Sequence, residues 1–179
     1  MRRSPPSDPV LCFAYDHVVE VRGGVVVKVL PFSDLATAEG VDLGRSEWLE
    51  ISQSRIEEFA SATGDDQWIH VDRSRAELGP FGATIAHGFL TLSLVPLLLR
   101  DLWRVSGSGM GINYGVNRVR FLAPVLVGSR VRLHALIAGT AERNDGSVQV
   151  TLALTIELEN SDRPALVAET LALFYPSNP

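Results

Sequence analysis

The C-terminal half of the chain alternates. Val131, Leu133, Ala135 and Ile137 interleave with Arg130, Arg132, His134 and Leu136. Val148, Val150, Leu152, Leu154, Ile156 and Leu158 do the same with Gln149, Thr151, Ala153, Thr155, Glu157 and Glu159. Successive side chains on a strand point to opposite faces, so this period of two predicts half-buried antiparallel strands. Asn144-Asp145-Gly146 between the runs is a hairpin signal. Ala165 to Tyr175 is more apolar on both sides and predicts a last, central strand. Another strand breaks its own rhythm: Ile112, Tyr114 and Val116 are apolar at even positions, Val119 and Phe121 at odd ones. A strand changes phase only by taking in an extra residue, which predicts a bulge near Asn117. A bulge there serves packing or re-aims side chains beside a site, and the pattern leaves both open.

The earlier half follows a helical period. Phe32 to Ala38 predicts a short helix and Trp48 to Ile51 a short strand. Ile56, Phe59, Ala60 and Thr63 share one helical face, with Ser52 or Ser54 as the cap. Ser54-Arg55-Ile56-Glu57 has the capping-box pattern, and Gly64 is a natural terminator. Asp72 to Leu78 predicts another short helix. From about His87 to Trp103 the chain is apolar on nearly all sides, which predicts a helix enclosed by protein and kinked at Pro96. Helices first, then one buried helix, then antiparallel strands make an α+β domain with a sheet wrapped around a central helix.

Residues 1–30 read differently: prolines come early, then a valine-rich run broken by Gly23-Gly24. They are expected to be a poorly ordered extension, with at most a short strand, ahead of a single domain over 31–179. Valine codons can serve as starts, so Val25 to Val27 raise the further expectation that translation begins there and that residues 1–26 are dispensable.

The 179 residues suffice for one ordinary core. A net charge of -5 argues against nucleic acid as the main partner. The one cysteine, Cys12, rules out an internal disulfide and fits the cytoplasm. The apolar stretch Ile85–Leu99 is too short to span a membrane. No phosphate-binding loop is present, and the lone cysteine gives no metal-site spacing, so no metal is expected. Arg118 with Arg120, and Arg130 with Arg132, could meet the phosphates of coenzyme A, although a salt-bridged surface is the favoured reading. His134 is read as a surface residue.

Two places could carry chemistry. Asp65 and His70 lie in a segment between two helices, five positions apart, so they meet through a loop or not at all. A carboxylate and an imidazole gripping one water form a minimal acid–base device. On spacing alone the plainer alternative is favoured, with Asp65 or Asp66 as a cap and His70 as a hydrogen-bonded core residue. Ala86-His87-Gly88 opens the buried helix, where the first backbone N–H groups lack partners. Such amides suit a carbonyl oxygen that gains charge, and Gly88 admits a close approach; tight packing alone would explain it too.

Together these residues resemble a known family. Phe59-Ala60-x-Ala62-Thr63-Gly64-Asp65-x-Gln67-Trp68-Ile69-His70-Val71-Asp72 is similar to the hydratase signature of the MaoC-like (R)-specific enoyl-CoA hydratases (enoyl-CoA hydratase 2). Ala86-His87-Gly88-Phe89-Leu90 resembles the second block of that family. Asn113-Tyr114-Gly115, Arg120-Phe121 and Pro124-Val125-x-Val127-Gly128 resemble the third. The resemblance implies a hotdog fold, a homodimer, and no cofactor. It implies a catalytic Asp65 and His70, with the Gly88 amide in an oxyanion hole, acting on an acyl-CoA thioester or one carried by acyl carrier protein. Gln67, Trp68, His87, Tyr114 and Asn117 are the candidate substrate-binding residues. Gln67 and Trp68 stand where asparagine and proline are commoner, which leaves acyl preference open. The competing expectations are a hotdog thioesterase and a non-catalytic subunit of a heteromeric dehydratase.

Overall fold

The computed structural model describes residues 10–14, 17–22 and 25–177. Strands β1 (Val10–Ala14), β2 (His17–Arg22) and β3 (Val25–Pro31) are followed by a 3-10 helix over Phe32–Thr37, then by β4 (Asp42–Arg45) and β5 (Leu49–Glu50). Helices α1 (Gln53–Thr63), α2 (Trp68–Val71), α3 (Arg73–Glu77), α4 (Gly88–Ser93) and α5 (Val95–Leu99) come next. The strands β6 (Trp103–Ser106), β7 (Ser108–Phe121), β8 (Arg130–Glu142), β9 (Val148–Leu158) and β10 (Leu166–Pro176) complete the fold.

The main sheet runs β4-β8-β9-β10-β7, with β5 also on β8, and every pairing in it is antiparallel. Its inner face is the alternating set read from the sequence. Val131, Leu133, Ala135, Ile137, Val150 and Ile156 are fully buried, and they share one core with Leu90, Leu94, Val95 and Leu98 of α4 and α5. Each large aliphatic side chain removed from water there contributes about 1.5–3 kcal/mol. This sheet around a buried helical segment is the hotdog fold. The hairpin falls where the turn signal lies: Gly146 has φ 77, and Asp145 accepts from the Ser147 amide at 3.0 Å.

The phase break in β7 is a bulge at the expected residue. Glu169 faces Arg118 and Thr170 faces Val116, so Asn117 has no opposite number on β10. A second extra residue, Tyr114, falls between the Leu171–Gly115 and Ala172–Asn113 pairs.

Two expectations are corrected and a third is narrowed. The extension was expected to be poorly ordered through residue 30 with at most a short strand, but β1, β2 and β3 pair in series, β3 pairs in parallel with β6, and Val27, Val29 and Leu30 are buried. Of that extension, residues 1–9, 15–16 and 23–24 lie outside the described residues. The enclosed helix is two short helices meeting at Leu94, because Pro96 has no N–H to bond the preceding turn. Nor is it covered on every side: Phe89 is 66% exposed. Finally, the N-cap of α1 is Ser52, whose hydroxyl accepts from the Arg55 amide at 3.3 Å, so the box centred on Ser54 is not the cap.

Candidate active site

Helix α1 ends because Gly64 takes φ 76, a left-handed conformation that costs glycine little. The loop 64–67 then turns the chain back, and α2 begins at Trp68 with Gln67 as its cap. This turn carries Asp65 and His70 to one place, although no regular helix would put them on a common face. One donor atom from each of Asp65, His70 and His87 lies within 4.8 Å of the other two. The same cluster has the donor types that could hold a cation.

His70 is buried and Asp65 exposed. His70 Nδ1–H donates to the Ile85 carbonyl oxygen at 2.7 Å, since a carbonyl can only accept. In the neutral ring Nε2 therefore holds the lone pair. Burial pushes the His70 pKa below its ordinary value. The Ile85 bond and the charge of Asp65 oppose that, while His87 adds to it. The neutral, Nδ1-protonated ring is the resting form near neutrality.

The backbone around His70 is fixed from two sides. Gln53, at the start of α1, donates through Nε2 to the His70 carbonyl at 2.9 Å. Its Oε1 accepts from the buried Thr84 hydroxyl at 2.5 Å. The segment 84–86 is clamped in turn by Ile85 N to Ile69 O at 3.0 Å and Ala86 N to Val125 O at 2.8 Å. Sequence reasoning missed Gln53 and Thr84. The available signal was a glutamine three positions before Ile56, on the apolar face of α1.

Gly88 opens α4 next to His87. A Cβ at Gly88 would lie 3.0 Å from the Phe121 ring, so only glycine fits without a shift. A cavity of about 300 Å³ beside it is lined by Phe81, Ala86, Thr91, Phe121 and Pro124. A larger one, about 650 Å³, lies between the central helices and strands β7 and β10, against Leu92, Val95, Trp103, Val116 and Phe174. Asp65 and His70 line neither cavity.

The expected substrate-binding residues are not gathered as a set. Gln67 is exposed at the α2 cap. Trp68 packs under the Arg75 guanidinium at 4.5 Å and against Gly79, which makes it a brace between α2 and α3. Tyr114 lies 5.2 Å from the Arg143 guanidinium, and the Asn117 amide donates to Glu169 at 2.6 Å. Neither residue joins the Asp65–His70 cluster, because the bulges turn them to other partners. His87 does join it, stacked on His70 with ring centroids 3.7 Å apart. Arg130 and Arg132 pair with Glu159 and Glu157 at 2.9 and 2.6 Å, the salt-bridged alternative. His134 is half-buried on Asp42 at 3.0 Å.

Fold and site together define a hotdog protein in which an aspartate and two histidines are gathered at one place. A family model for the MaoC like domain matches residues 34–158, and the chain belongs to that family. It is 51% identical over 142 residues to 3-hydroxyacyl-thioester dehydratase Z of Mycobacterium tuberculosis (strain ATCC 25618 / H37Rv), covering 79% of this chain and 94% of the relative. It is 42% identical over 153 residues to nodulation protein N of Rhizobium leguminosarum bv. viciae, covering 83% and 95%. Among solved structures, the (R)-hydratase from A. caviae involved in PHA biosynthesis superposes with a TM-score of 0.62 at 23% identity, over 75% of this chain and 94% of that one. The chain is a hydratase/dehydratase of the MaoC type. Among the described residues, no helix is long and apolar enough to cross a membrane.

Proposed function

We propose that the protein adds water reversibly to a trans-2-enoyl-CoA, giving the (R)-3-hydroxyacyl-CoA. The observation that carries this is the convergence of Asp65 and His70 with one histidine nitrogen left free to accept. The Asp65 carboxylate takes one proton from the water, and His70 Nε2 accepts a hydrogen bond from the hydrogen that stays on the oxygen, aiming the oxygen lone pair at C3. The C3–O bond forms as the double-bond electrons move onto C2 and the thioester oxygen. The proton held on Asp65 then goes to C2 from the same side, so addition is syn and no redox cofactor is required. The Gly88 amide, among the first of α4, stabilises the enolate oxygen. The cavity beside Gly88 takes the thioester, and the larger cavity the acyl chain. The relative that acts on 3-hydroxyacyl thioesters and the neighbouring (R)-hydratase support this reading.

We infer in addition that the working unit is a homodimer. β7 ends the main sheet over 14 residues, and on or beside it Phe89, Met110, Ile112, Tyr114, Val116 and Phe121 are exposed. A long apolar sheet edge is a liability unless another strand covers it, and a second copy supplies the matching edge.

Incubation with crotonyl-CoA tests the reaction. Loss of the enoyl absorbance without free thiol supports hydration. Release of thiol would instead identify a thioesterase, and an inert purified protein would favour a non-catalytic subunit.

A further inference from the structure

His87 touches both members of the pair. Its Nε2–H donates to the Asp65 backbone carbonyl at 2.8 Å. Its ring lies between Phe59, 5.0 Å away, and His70, 3.7 Å away and 24° from parallel. Its remaining nitrogen, Nδ1, is buried with no partner among the described residues. An orphaned buried acceptor is costly, and a phenyl ring would fill the same gap without one. What histidine adds to a phenyl ring here is the N–H aimed at Asp65.

Asp65 needs such a hold. It lies on a short exposed loop beyond the end of α1, and among the described residues its amide makes only a long bond, 3.4 Å, to Thr63 Oγ1. His87 itself is 2% exposed and lines neither cavity, although its neighbours Ala86 and Gly88 line the smaller one. That placement speaks against the substrate-binding role expected from the sequence.

We propose that His87 is a positioning residue, fixing the spacing of the catalytic pair by bonding the Asp65 backbone through Nε2–H and backing the His70 ring by stacking. The inference rests on the hydratase reading above, because it assigns the fixed spacing to holding one water.

Two near-isosteric substitutions test it. Glutamine places its amide nitrogen near the Nε2 position, and asparagine near the Nδ1 position. His87→Asn should lower kcat on crotonyl-CoA by about 10²-fold, the cost of misplacing a catalytic group by about 1 Å, with KM changed by less than about threefold. His87→Gln, which keeps the donor, should stay within about fivefold of the unaltered protein. Equal kcat in the two variants, or a raised KM with kcat intact, overturns the proposal; the second outcome would return His87 to substrate binding. Should His87→Asn fail to fold, His87→Phe keeps the stack, lacks the donor and carries the same expectation. Amide hydrogen exchange over residues 64–67 gives a reading without turnover. It should quicken in the variant lacking the donor and return to normal in His87→Gln, with α1 and the main sheet unchanged. Unaltered exchange in the donor-free variant also overturns the proposal. If the unaltered protein fails to hydrate crotonyl-CoA, the hydratase reading falls, while exchange still decides the role of His87.

Discussion

His70 is held neutral by where it sits. Burial outweighs the Ile85 bond and the Asp65 charge, so its pKa lies below the ordinary 6.5. Protonation consumes the Nε2 lone pair, so kcat should be retained at neutral pH and fall as pH drops through that lowered value. A kcat–pH profile measures this; an acid limb with its midpoint above about 7 would contradict it. Linkage has the same sign. The unfolded chain takes up this proton first, so His70 contributes stability above about 6.5 that declines as pH falls from there towards its folded value. At this scale the sequence was partly legible. Asp65, His70 and Gly88 fall in the motif, but Trp68 turned to Arg75 and Gly79, and Tyr114 and Asn117 to Arg143 and Glu169, the last two remote in sequence. Such contacts have no periodic signature along the chain.

Between elements, Glu157 ties three strands together. From β9 it accepts from Arg45 on β4 at 2.8 Å and from Arg132 on β8 at 2.6 Å, and Arg132 also lies 4.4 Å from the Trp48 ring. Burial alone would raise the Glu157 pKa, but the two arginines outweigh it and hold it below the ordinary carboxylate value. Its contribution is therefore present above the unfolded carboxylate pKa and lost as pH falls through the folded one. Glu157→Gln should lower Tm by a few degrees at pH 7 and leave it nearly unchanged near pH 3; equal losses at both pH values would contradict this, with about 1 kcal/mol corresponding to 2–4 °C in a domain of this size. The strands themselves were legible because alternation reports a buried face directly, and the bulge because a phase break has one cheap structural solution. The division of the central helix was less so. Pro96 announces a kink, but where the two halves part, at Leu94, depends on how both pack.

For the whole molecule, the β7 edge, unpaired among the described residues, decides what can be read from one chain. The exposure of Phe89 contradicts an all-round buried helix in the single chain, and the proposed second copy would cover it. Light scattering should give twice the mass of one chain, and Val116→Arg, which puts a charge in the middle of that edge, should shift the protein towards monomer. A monomer in the unaltered protein at micromolar concentration would contradict the dimer. Helical and alternating periods reveal which faces are apolar, and cannot distinguish a face covered by the same chain from one covered by another.

The central claim is that Asp65 and His70 activate one water. The most direct measurement is the rate of crotonyl-CoA hydration, with the stereochemistry of the product, in the unaltered protein and in Asp65→Asn and His70→Ala. The account predicts (R)-3-hydroxybutyryl-CoA from the unaltered protein, and folded variants whose kcat falls by about 10²–10⁴-fold. Near-normal turnover in either variant would contradict it.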